Sequence, residues 1–328
     1  MKKRFILFFV LLILIISCNN SGKNKIQNIS NDEINSIFIP HFDSDSAFYF
    51  VKMQTDFGPR VPNTEAHKRC AHFLQKKLEK YCDNVVIQDF TTTTFDGVKI
   101  KCKNIIGSFA PEKTKRILLA SHWDSRPFAD NDPDPANKKL PIDGANDGAS
   151  GVGVLLEIAR QLKEKKPEVG VDIIFFDAED WGTTDSKNEP GDWWCLGAQH
   201  WAKKMHVQGY KADFGILLDM VGAPNAKFLQ EGFSVQYASP IVAKIWSKAY
   251  KLGYKNYFLN IPGHAITDDH YYVNNLTDIP MVNIIHQDQN STTGFVSTWH
   301  TLQDNISNID KNTLSVVGTV VLGVLYDE

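Results

Sequence analysis

The sequence has few cysteines, no dense cluster of basic residues, and no apolar run long enough to span a bilayer. Its 328 residues include five cysteines, none in a C-x-x-C pair, which argues against a zinc site built from thiolates. The formal net charge is -3, and nothing in the charge pattern predicts nucleic-acid binding. With 43% apolar and 22% charged residues, the composition is typical of a globular protein with one large core.

The N-terminal segment has the charged and apolar regions of a secretory signal. Basic residues at positions 2–4 precede an apolar run from Phe5 to Ile16, shorter than the roughly 20 residues that a membrane-spanning helix needs. The run ends at Cys18 and resembles the lipobox of bacterial lipoproteins, whose cysteine is acylated after cleavage. We therefore expect a signal peptide over residues 1–17, a lipid anchor on Cys18, and an exported protein that faces the periplasm. The alternative is an ordinary signal peptide that happens to contain Cys18.

The rest of the chain divides into a short polar segment and one long folded region. Residues 18–36 are rich in Asn, Ser, Lys and Ile without a sustained period, which predicts a flexible tether. Residues 37–328 show no second shift in composition, no internal repeat and no low-complexity insert, so we predict one domain there. In an exported protein, its four cysteines could form disulfides in three complete pairings, and the sequence does not choose among them. These cysteines are Cys70, Cys82, Cys102 and Cys195.

Strand and helix patterns alternate along this domain. Apolar runs rich in β-branched and aromatic residues predict strands at residues 85–90, 98–109, 116–121, 171–177, 214–220 and 279–286. Helical periodicity predicts helices at residues 64–81, 149–163, 196–204, 240–252 and 312–325. This alternation predicts an α/β sandwich in which helices flank a mixed central β-sheet. Ligands bind beyond the carboxyl ends of the strands in such folds, so the polar residues there should converge on one site.

Five polar clusters stand at strand ends or at the start of a helix. They begin at His122, Asp143, Asp177, Leu218 and Trp299. Singly, such residues are usually caps or turn residues, but oxygen and imidazole ligands from separate strand ends are what zinc requires. The absence of cysteine ligands favours an open, catalytic site. In the neighbouring pair Glu179 and Asp180, one carboxylate can bind metal while the other stays free as a general acid/base.

Five ordered motifs resemble those of the zinc aminopeptidase and glutaminyl cyclase superfamily. They are HWDSR from His122, GANDGASGVG from Gly144, FFDAEDWG from Phe175, LLDMVG from Leu217 and WHTLQDN from Trp299. The similarity runs from about residue 56 to the C-terminal helix and implies a zinc-exopeptidase-like fold with a zinc-dependent catalytic domain at residues 37–328. Several features resemble the cyclase branch, which converts N-terminal glutamine to pyroglutamate with loss of ammonia. These features are FGPR at 57–60, APN at 223–225, DDH at 268–270, and the Asp304-Asn305 pair after His300.

Matching motif positions imply roles for individual residues. The implied ligands of a single zinc ion are Asp147, Asp180 and His300. Asp180 departs from the glutamate that is more usual in the family, and this shortens the ligand arm by one methylene, although aspartate is itself a good zinc ligand. The resemblance implies that Glu179 is the general acid/base. It also implies that Asp219 and Asp268 share a proton network near the reacting amine.

The substrates implied by the cyclase resemblance are peptides or exported proteins with N-terminal glutamine. A pocket for one small polar side chain is commonly walled by aromatic residues. Trp299, beside a proposed ligand, is the first candidate, and Trp193 or Trp194 is the second. Ile266 is a further candidate wall, whereas we expect His270 to be structural.

Two other functions are compatible with the motifs. Aminopeptidases of this superfamily bind two zinc ions and cut peptide bonds with a metal-bridging hydroxide, and His122 and Asp219 match the positions that hold their second ion. A lipoprotein that binds peptides or glycans on an inactive scaffold is the other alternative. The complete set of proposed ligands and the acid/base argue against it.

Overall fold

The structure is a computed structural model and describes residues 39–183 and 191–328. The predicted signal peptide, the lipid anchor on Cys18 and the tether lie outside the described residues. The division of the chain into three parts therefore stays a prediction. Within the two described ranges, no helix is both long enough and apolar enough to cross a bilayer.

Six of the eight strands in the described ranges form one mixed sheet. The strands are β1 (Asn84–Thr93), β2 (Lys99–Phe109), β3 (Arg116–His122), β4 (Gly170–Phe176), β5 (Phe214–Asp219), β6 (Phe228–Gln230), β7 (Phe258–Pro262) and β8 (Met281–Ile285). The sheet order is β1-β2-β4-β3-β5-β8, and β6 and β7 form a separate parallel pair. Strands β4, β3, β5 and β8 are mutually parallel, whereas β1 and β2 are antiparallel to their neighbours.

Seven α-helices accompany these strands in the described ranges. They are α1 (Ser44–Thr55), α2 (Glu65–Tyr81), α3 (Ala149–Glu164), α4 (Leu196–Lys203), α5 (Gly232–Lys251), α6 (Asp269–Leu276) and α7 (Lys311–Leu325). Buried apolar residues of α1, α2, α3, α5 and α7 belong to one apolar cluster on the sheet. Those of α6 and most of those of α4 belong to a second, and Leu196 of α4 belongs to a third.

The central strands are buried because both faces of the sheet are covered. Every residue of β3, β4 and β5 is buried. Successive side chains of a strand point to opposite faces, so Leu119 packs in the first cluster and Leu118 in the second. Helices on both faces of a mixed sheet confirm the predicted fold class.

Two helices were missing from the sequence prediction, and a third begins earlier than predicted. The missing ones are α1 and α6. Helix α5 begins at Gly232, not at residue 240, and has a kink at Ala238, where φ is -138°. Pro240 has no N–H and its ring crowds the preceding turn, so the helical pattern is interrupted there.

All four cysteines of the described ranges are buried free thiols, so none of the three possible disulfide pairings is present there. Burial raises the pKa of Cys70 to about 12. It also raises the pKa of Cys82 and Cys102. These thiols are packing residues in the apolar clusters.

The parallel strands determine where the polar residues meet. Strand β3 ends at His122, β4 at Phe176 immediately before Asp177, and β5 at Asp219. Because the three strands are parallel neighbours, their carboxyl ends lie at the same edge of the sheet.

Candidate metal centre and active site

The three predicted zinc ligands lie together at this edge. Asp147 precedes α3, Asp180 follows β4, and His300 lies in the loop between β8 and α7. Each offers one ligand atom, and these atoms lie within 4.8 Å of one another. His300 Nε2 is 3.3 Å from Asp180 Oδ1 and 3.6 Å from Asp147 Oδ2. All three side chains are buried.

Two further aspartates bind the backbone of the turns that carry Asp147 and Asp180. The Asp124 carboxylate accepts the backbone N–H groups of Glu179 and Asp180 at 3.1 and 3.2 Å. The Asp304 carboxylate accepts those of Asn146 and Asp147 at 2.7 and 3.0 Å. Each of these two ligand-bearing turns is therefore fixed by a buried carboxylate that does not belong to the ligand group.

Gly148 allows the Asp147 turn to lie against His122. Its φ is +92°, a conformation that L side chains rarely adopt. A Cβ atom there would come within 2.8 Å of the Asp124 carbonyl oxygen and 2.9 Å of the His122 ring. A side chain at this position would therefore displace Asp124, which holds the turn that contains Asp180, and His122, which contacts Asp147.

The donor set fits a zinc ion. Two carboxylates and one imidazole are suitable ligands for zinc, and three protein ligands are typical of catalytic sites. Asp180 Oδ2 is buried and accepts no hydrogen bond within the described residues. A buried carboxylate oxygen without a donor is costly unless a cation contacts it. The arrangement fits the ion that the motifs predict.

Arg126 links a proposed ligand to the wall of the site. Its guanidinium donates to Asp180 Oδ1 and to the Asp180 carbonyl oxygen, both at 3.2 Å, and to Asp130 at 2.7 and 2.9 Å. Asp130 Oδ1 lies 3.3 Å from His300 Nδ1, so this carboxylate also orients the proposed histidine ligand. The guanidinium lies 5.0 Å from the centre of the Trp194 ring. One buried cation therefore positions two predicted ligands and one aromatic side chain.

A second group of possible ligands adjoins the first. His122 Nε2 lies 3.0 Å from Asp147 Oδ1 and 3.3 Å from Asp219 Oδ1. Burial lowers the pKa of His122, but hydrogen bonds to Asp124, Asp147 and Asp219 raise it well above its usual value. The two residues predicted for a possible second ion, His122 and Asp219, are thus brought together with Asp147, which both groups share.

The predicted acid/base, Glu179, lies outside both groups. It is 9% exposed and forms a third cluster with Cys195 and Asp268, whose Sγ and carboxylate oxygens lie within 4.8 Å of its own. The Cys195 thiol donates to Glu179 Oε1 at 3.2 Å. Burial first, and then the carboxylates of Asp180 and Asp268, raise the pKa of Glu179 well above its usual value, although His122 opposes this.

The other two predicted catalytic carboxylates share this acidic environment. Burial, followed by the charge of Asp268, raises the pKa of Asp219 to about 8. Burial also raises the pKa of Asp268, which His270 and His122 oppose. Burial therefore disfavours the charged forms of Glu179, Asp219 and Asp268 alike.

These residues line a cavity of about 360 Å³ with apolar walls. Its apolar lining consists of Trp194, Trp299, Phe295, Ile266, Met220 and Ile285. Trp299 and Ile266, which the sequence analysis named as candidate walls of a substrate pocket, line this cavity. Of the two candidates for the second wall, Trp194 lines the cavity and Trp193 does not. Adjacent loop side chains point in different directions, and the sequence could not distinguish the two.

Backbone strain is concentrated around the cavity. Four of the non-glycine residues with positive φ lie at this site, with φ between 48° and 57°. They are Ala178, Cys195, Met220 and His300. Such conformations cost about 1–3 kcal/mol each and persist where the surroundings hold them.

Sequence reasoning gave no role to several residues that support the site. Asp124 and Arg126 lie in the HWDSR motif, and Asp304 lies in WHTLQDN, so the motifs contained a signal for all three. Cys195 and Phe295 lie outside the quoted motifs, and nothing in the sequence indicated their position.

Comparisons with known proteins agree with the motif resemblance. A model of peptidase family M28 matches residues 104–325. A Zn-dependent exopeptidase structure from Parabacteroides distasonis is 53% identical, covering 89% of this chain and 100% of that one, with a TM-score of 0.87. The glutaminyl cyclase structure from Tannerella forsythia is 52% identical, covering 88% and 100%, with a TM-score of 0.86. The glutaminyl-peptide cyclotransferase of Drosophila melanogaster is 26% identical over 290 residues, which are 80% of this chain and 75% of that protein.

The contacts of Arg126 generate a prediction about metal affinity. Arg126→Lys keeps the charge but cannot contact Asp180 and Asp130 in the same forked geometry. We expect zinc affinity to fall by about 10- to 100-fold, the effect typical of lost ligand-orienting contacts. Competition with a chromogenic chelator measures this affinity. Arg160→Lys is the matched control, because Arg160 pairs with Glu157 and Glu164 on α3. Equal zinc affinity in the two variants would contradict the role of Arg126.

Proposed function

The chain belongs to peptidase family M28, and from this membership and the site geometry we propose that it is a glutaminyl-peptide cyclotransferase. It converts the N-terminal glutamine of peptides or proteins to pyroglutamate and releases ammonia. The central observation is that Glu179 remains outside the group formed by Asp147, Asp180 and His300, in a small cavity with aromatic walls. The arrangement combines a metal site, a separate carboxyl group and a pocket for one side chain.

One zinc ion is proposed at Asp147, Asp180 and His300. When bound, it supplies a Lewis acid for the γ-carboxamide oxygen of the substrate glutamine. Asp180 is held for this purpose by Arg126 and by its own backbone contact with Asp124. The turn that contains Asp180, with its shorter aspartate arm, is anchored by Asp124, two residues beyond the end of β3.

The reaction occurs within one residue of the substrate. The neutral α-amine attacks the carbonyl carbon of the γ-carboxamide, Cδ, a C–N bond forms, and the bond between Cδ and the amide nitrogen breaks. Glu179 accepts a proton from the attacking amine and delivers it to the departing nitrogen, which leaves as ammonia. Because both reacting groups belong to the same residue, holding the glutamine side chain in a folded conformation supplies much of the rate.

Asp219 and Asp268 supply the carboxyl groups that contact the substrate amine. Both carboxyl groups are buried and line the same cavity as Glu179. They orient the amine and stabilise positive charge that develops on its nitrogen. Trp299, Trp194 and Ile266 enclose the methylene groups of the glutamine side chain and limit access of water.

The second candidate is a two-zinc aminopeptidase. The observation that favours it is the group of His122, Asp147 and Asp219, which shares Asp147 with the first ligand group. The similarity to glutaminyl cyclases and the small aromatic-walled cavity favour the cyclase. The number of bound ions and the released product separate the two functions.

Replacement of the proposed acid/base generates the first functional prediction. Glu179→Gln should keep bound zinc but lower ammonia release from Gln-Ala by about 10²- to 10⁴-fold, because positioned proton transfer is lost. A coupled ammonia assay and metal analysis measure the two quantities. Glu157→Gln is the matched control, since Glu157 is also buried but contacts Asp43, Arg160 and Gln161. Turnover by Glu179→Gln equal to that of the control would refute the assignment.

Metal counting distinguishes the cyclase from the aminopeptidase. We expect one tightly held zinc per chain, and loss of both zinc and ammonia release in His300→Ala, because a three-ligand site becomes a two-ligand site. Atomic emission of the dialysed protein gives the count, and zinc added after chelation should restore wild-type activity. Two tightly held ions together with cleavage of aminoacyl amides and no ammonia would favour the aminopeptidase.

We also propose that the chain is an exported lipoprotein, which is anchored to a membrane by its lipid and faces the periplasm. The support is the charged and apolar start of the chain followed by Cys18. In a bacterial host, Cys18→Ser should abolish incorporation of labelled fatty acid, because the acylated thiol is removed. Cys70→Ser is the control, since Cys70 is a buried thiol of the folded domain. Equal labelling of both variants would exclude acylation at Cys18.

A further inference from the structure

The segment from His264 to Thr267 forms part of the substrate pocket but is largely exposed. Ile266 lines the cavity, and the segment leads directly into Asp268. Of its four residues, only Ile266 is partly buried. The apolar clusters do not include this segment, so packing alone does not explain how its position is fixed.

The carboxylate of Glu231 accepts hydrogen bonds that fix the position of this segment. Ile266 donates its backbone N–H to Glu231 Oε1 at 2.8 Å, and His270 Nε2 lies 2.8 Å from Glu231 Oε2. The carboxylate also accepts the N–H groups of Phe233 and Ser234 at 2.9 and 2.7 Å. Glu231 itself is 0% exposed, yet it lies outside the catalytic cavity.

Backbone contacts bring the same two segments together. Gly232 donates its N–H to the His264 carbonyl oxygen at 3.1 Å, and Gly263 donates to the Gln230 carbonyl oxygen at 2.8 Å. A Cβ atom at Gly232 would lie 2.8 Å from the Cβ of Ala265. The start of α5 therefore lies directly against the segment that contains Ile266.

A short chain of hydrogen bonds extends from Glu231 to Asp268. Ser234 Oγ donates to Glu231 Oε2 at 2.6 Å and accepts the backbone N–H of Asn283 at 2.9 Å. The Asn283 side-chain amide then donates to Asp268 Oδ2 at 2.6 Å. All of these side chains are buried. Glu231 is thus connected to the pocket through the Ile266 backbone and through the Asp268 carboxylate.

We propose that Glu231 is a positioning residue that fixes the Ile266 wall of the substrate pocket. The effect on catalysis rests on the cyclase function proposed above. Capping of α5 requires only the N–H groups of Phe233 and Ser234. The additional contacts with Ile266 and His270 join the cap to the pocket. Against burial, His270 and the other donors lower the pKa of Glu231 to about 2, so it is an ionised acceptor at neutral pH.

The test separates positioning from a purely structural role. In Glu231→Gln, an amide with one acceptor oxygen replaces a carboxylate that accepts from several donors. We expect KM for Gln-Ala to rise about tenfold while kcat changes less than about threefold, because a wall that contacts bound substrate is displaced. Hydrogen exchange at the Ile266 N–H should become faster, and zinc content should stay at the wild-type level.

A double-mutant cycle shows whether Glu231 acts through Ile266. Ile266→Ala removes the wall directly and should also raise KM. If the effect of Glu231 passes through this wall, Glu231→Gln should add little to KM in the Ile266→Ala background. Additive effects, or an unchanged KM in folded Glu231→Gln, would overturn the proposal.

Two further variants test whether a loss of stability alone could raise KM. Asp172→Asn removes another buried carboxylate, paired with Arg116 and Tyr210 away from the cavity, and should lower stability without changing KM. Gly232→Ala keeps the carboxylate but crowds Ala265, so it should raise KM and speed exchange at Ile266 even if Glu231→Gln does not fold. Wild-type protein that releases no ammonia would overturn the proposed function. Exchange at Ile266 in the variants tests the structural role of Glu231 in either case.

Discussion

The site depends on the burial of many carboxyl groups at one edge of the sheet. Asp147, Glu179, Asp180, Asp219 and Asp268 line a single cavity, and all are buried. Removal of these groups from water penalises their charged forms, and their mutual repulsion is strong where the dielectric constant is low. A divalent cation between three ligands relieves part of this repulsion, and retention of protons relieves another part. The same acidic environment therefore favours both metal binding and proton transfer.

Anchored loops keep these carboxyl groups apart and correctly directed. Asp124 and Asp304 do not need to face the cavity, because their oxygens accept backbone N–H groups from the two ligand-bearing turns. The Arg126 guanidinium donates a hydrogen bond to Asp180 Oδ1 and offsets the negative charge of this carboxylate. Left-handed residues such as Ala178 and His300 show that the chain adopts unfavourable local conformations to direct neighbouring side chains. Function at this edge thus depends as much on buried supports as on groups that contact substrate.

The sheet could be predicted from sequence because its buried strands carry a strong local signal, whereas the ligand group was implied by the resemblance of five motifs to a known superfamily. Buried runs such as β3 and β4 are mostly apolar, and residues after parallel strands meet at one edge. The choice between Trp193 and Trp194 depends on loop conformation, which residue type does not determine. The role of Glu231 could not be predicted either, because its partner Ile266 is 35 residues away and contributes only a backbone N–H. A hydrogen bond between a side chain and a distant backbone N–H leaves no recognisable pattern in the sequence.

The unpaired sulfur atoms of the domain have a consequence for its maturation. The described part of the chain contains no covalent cross-link, and its cysteines, including Cys70 and Cys102, are enclosed by other side chains. A thiol whose ionisation is suppressed by burial is a poor nucleophile for disulfide exchange. Once the domain has folded, an oxidising compartment should therefore leave these buried thiols unpaired.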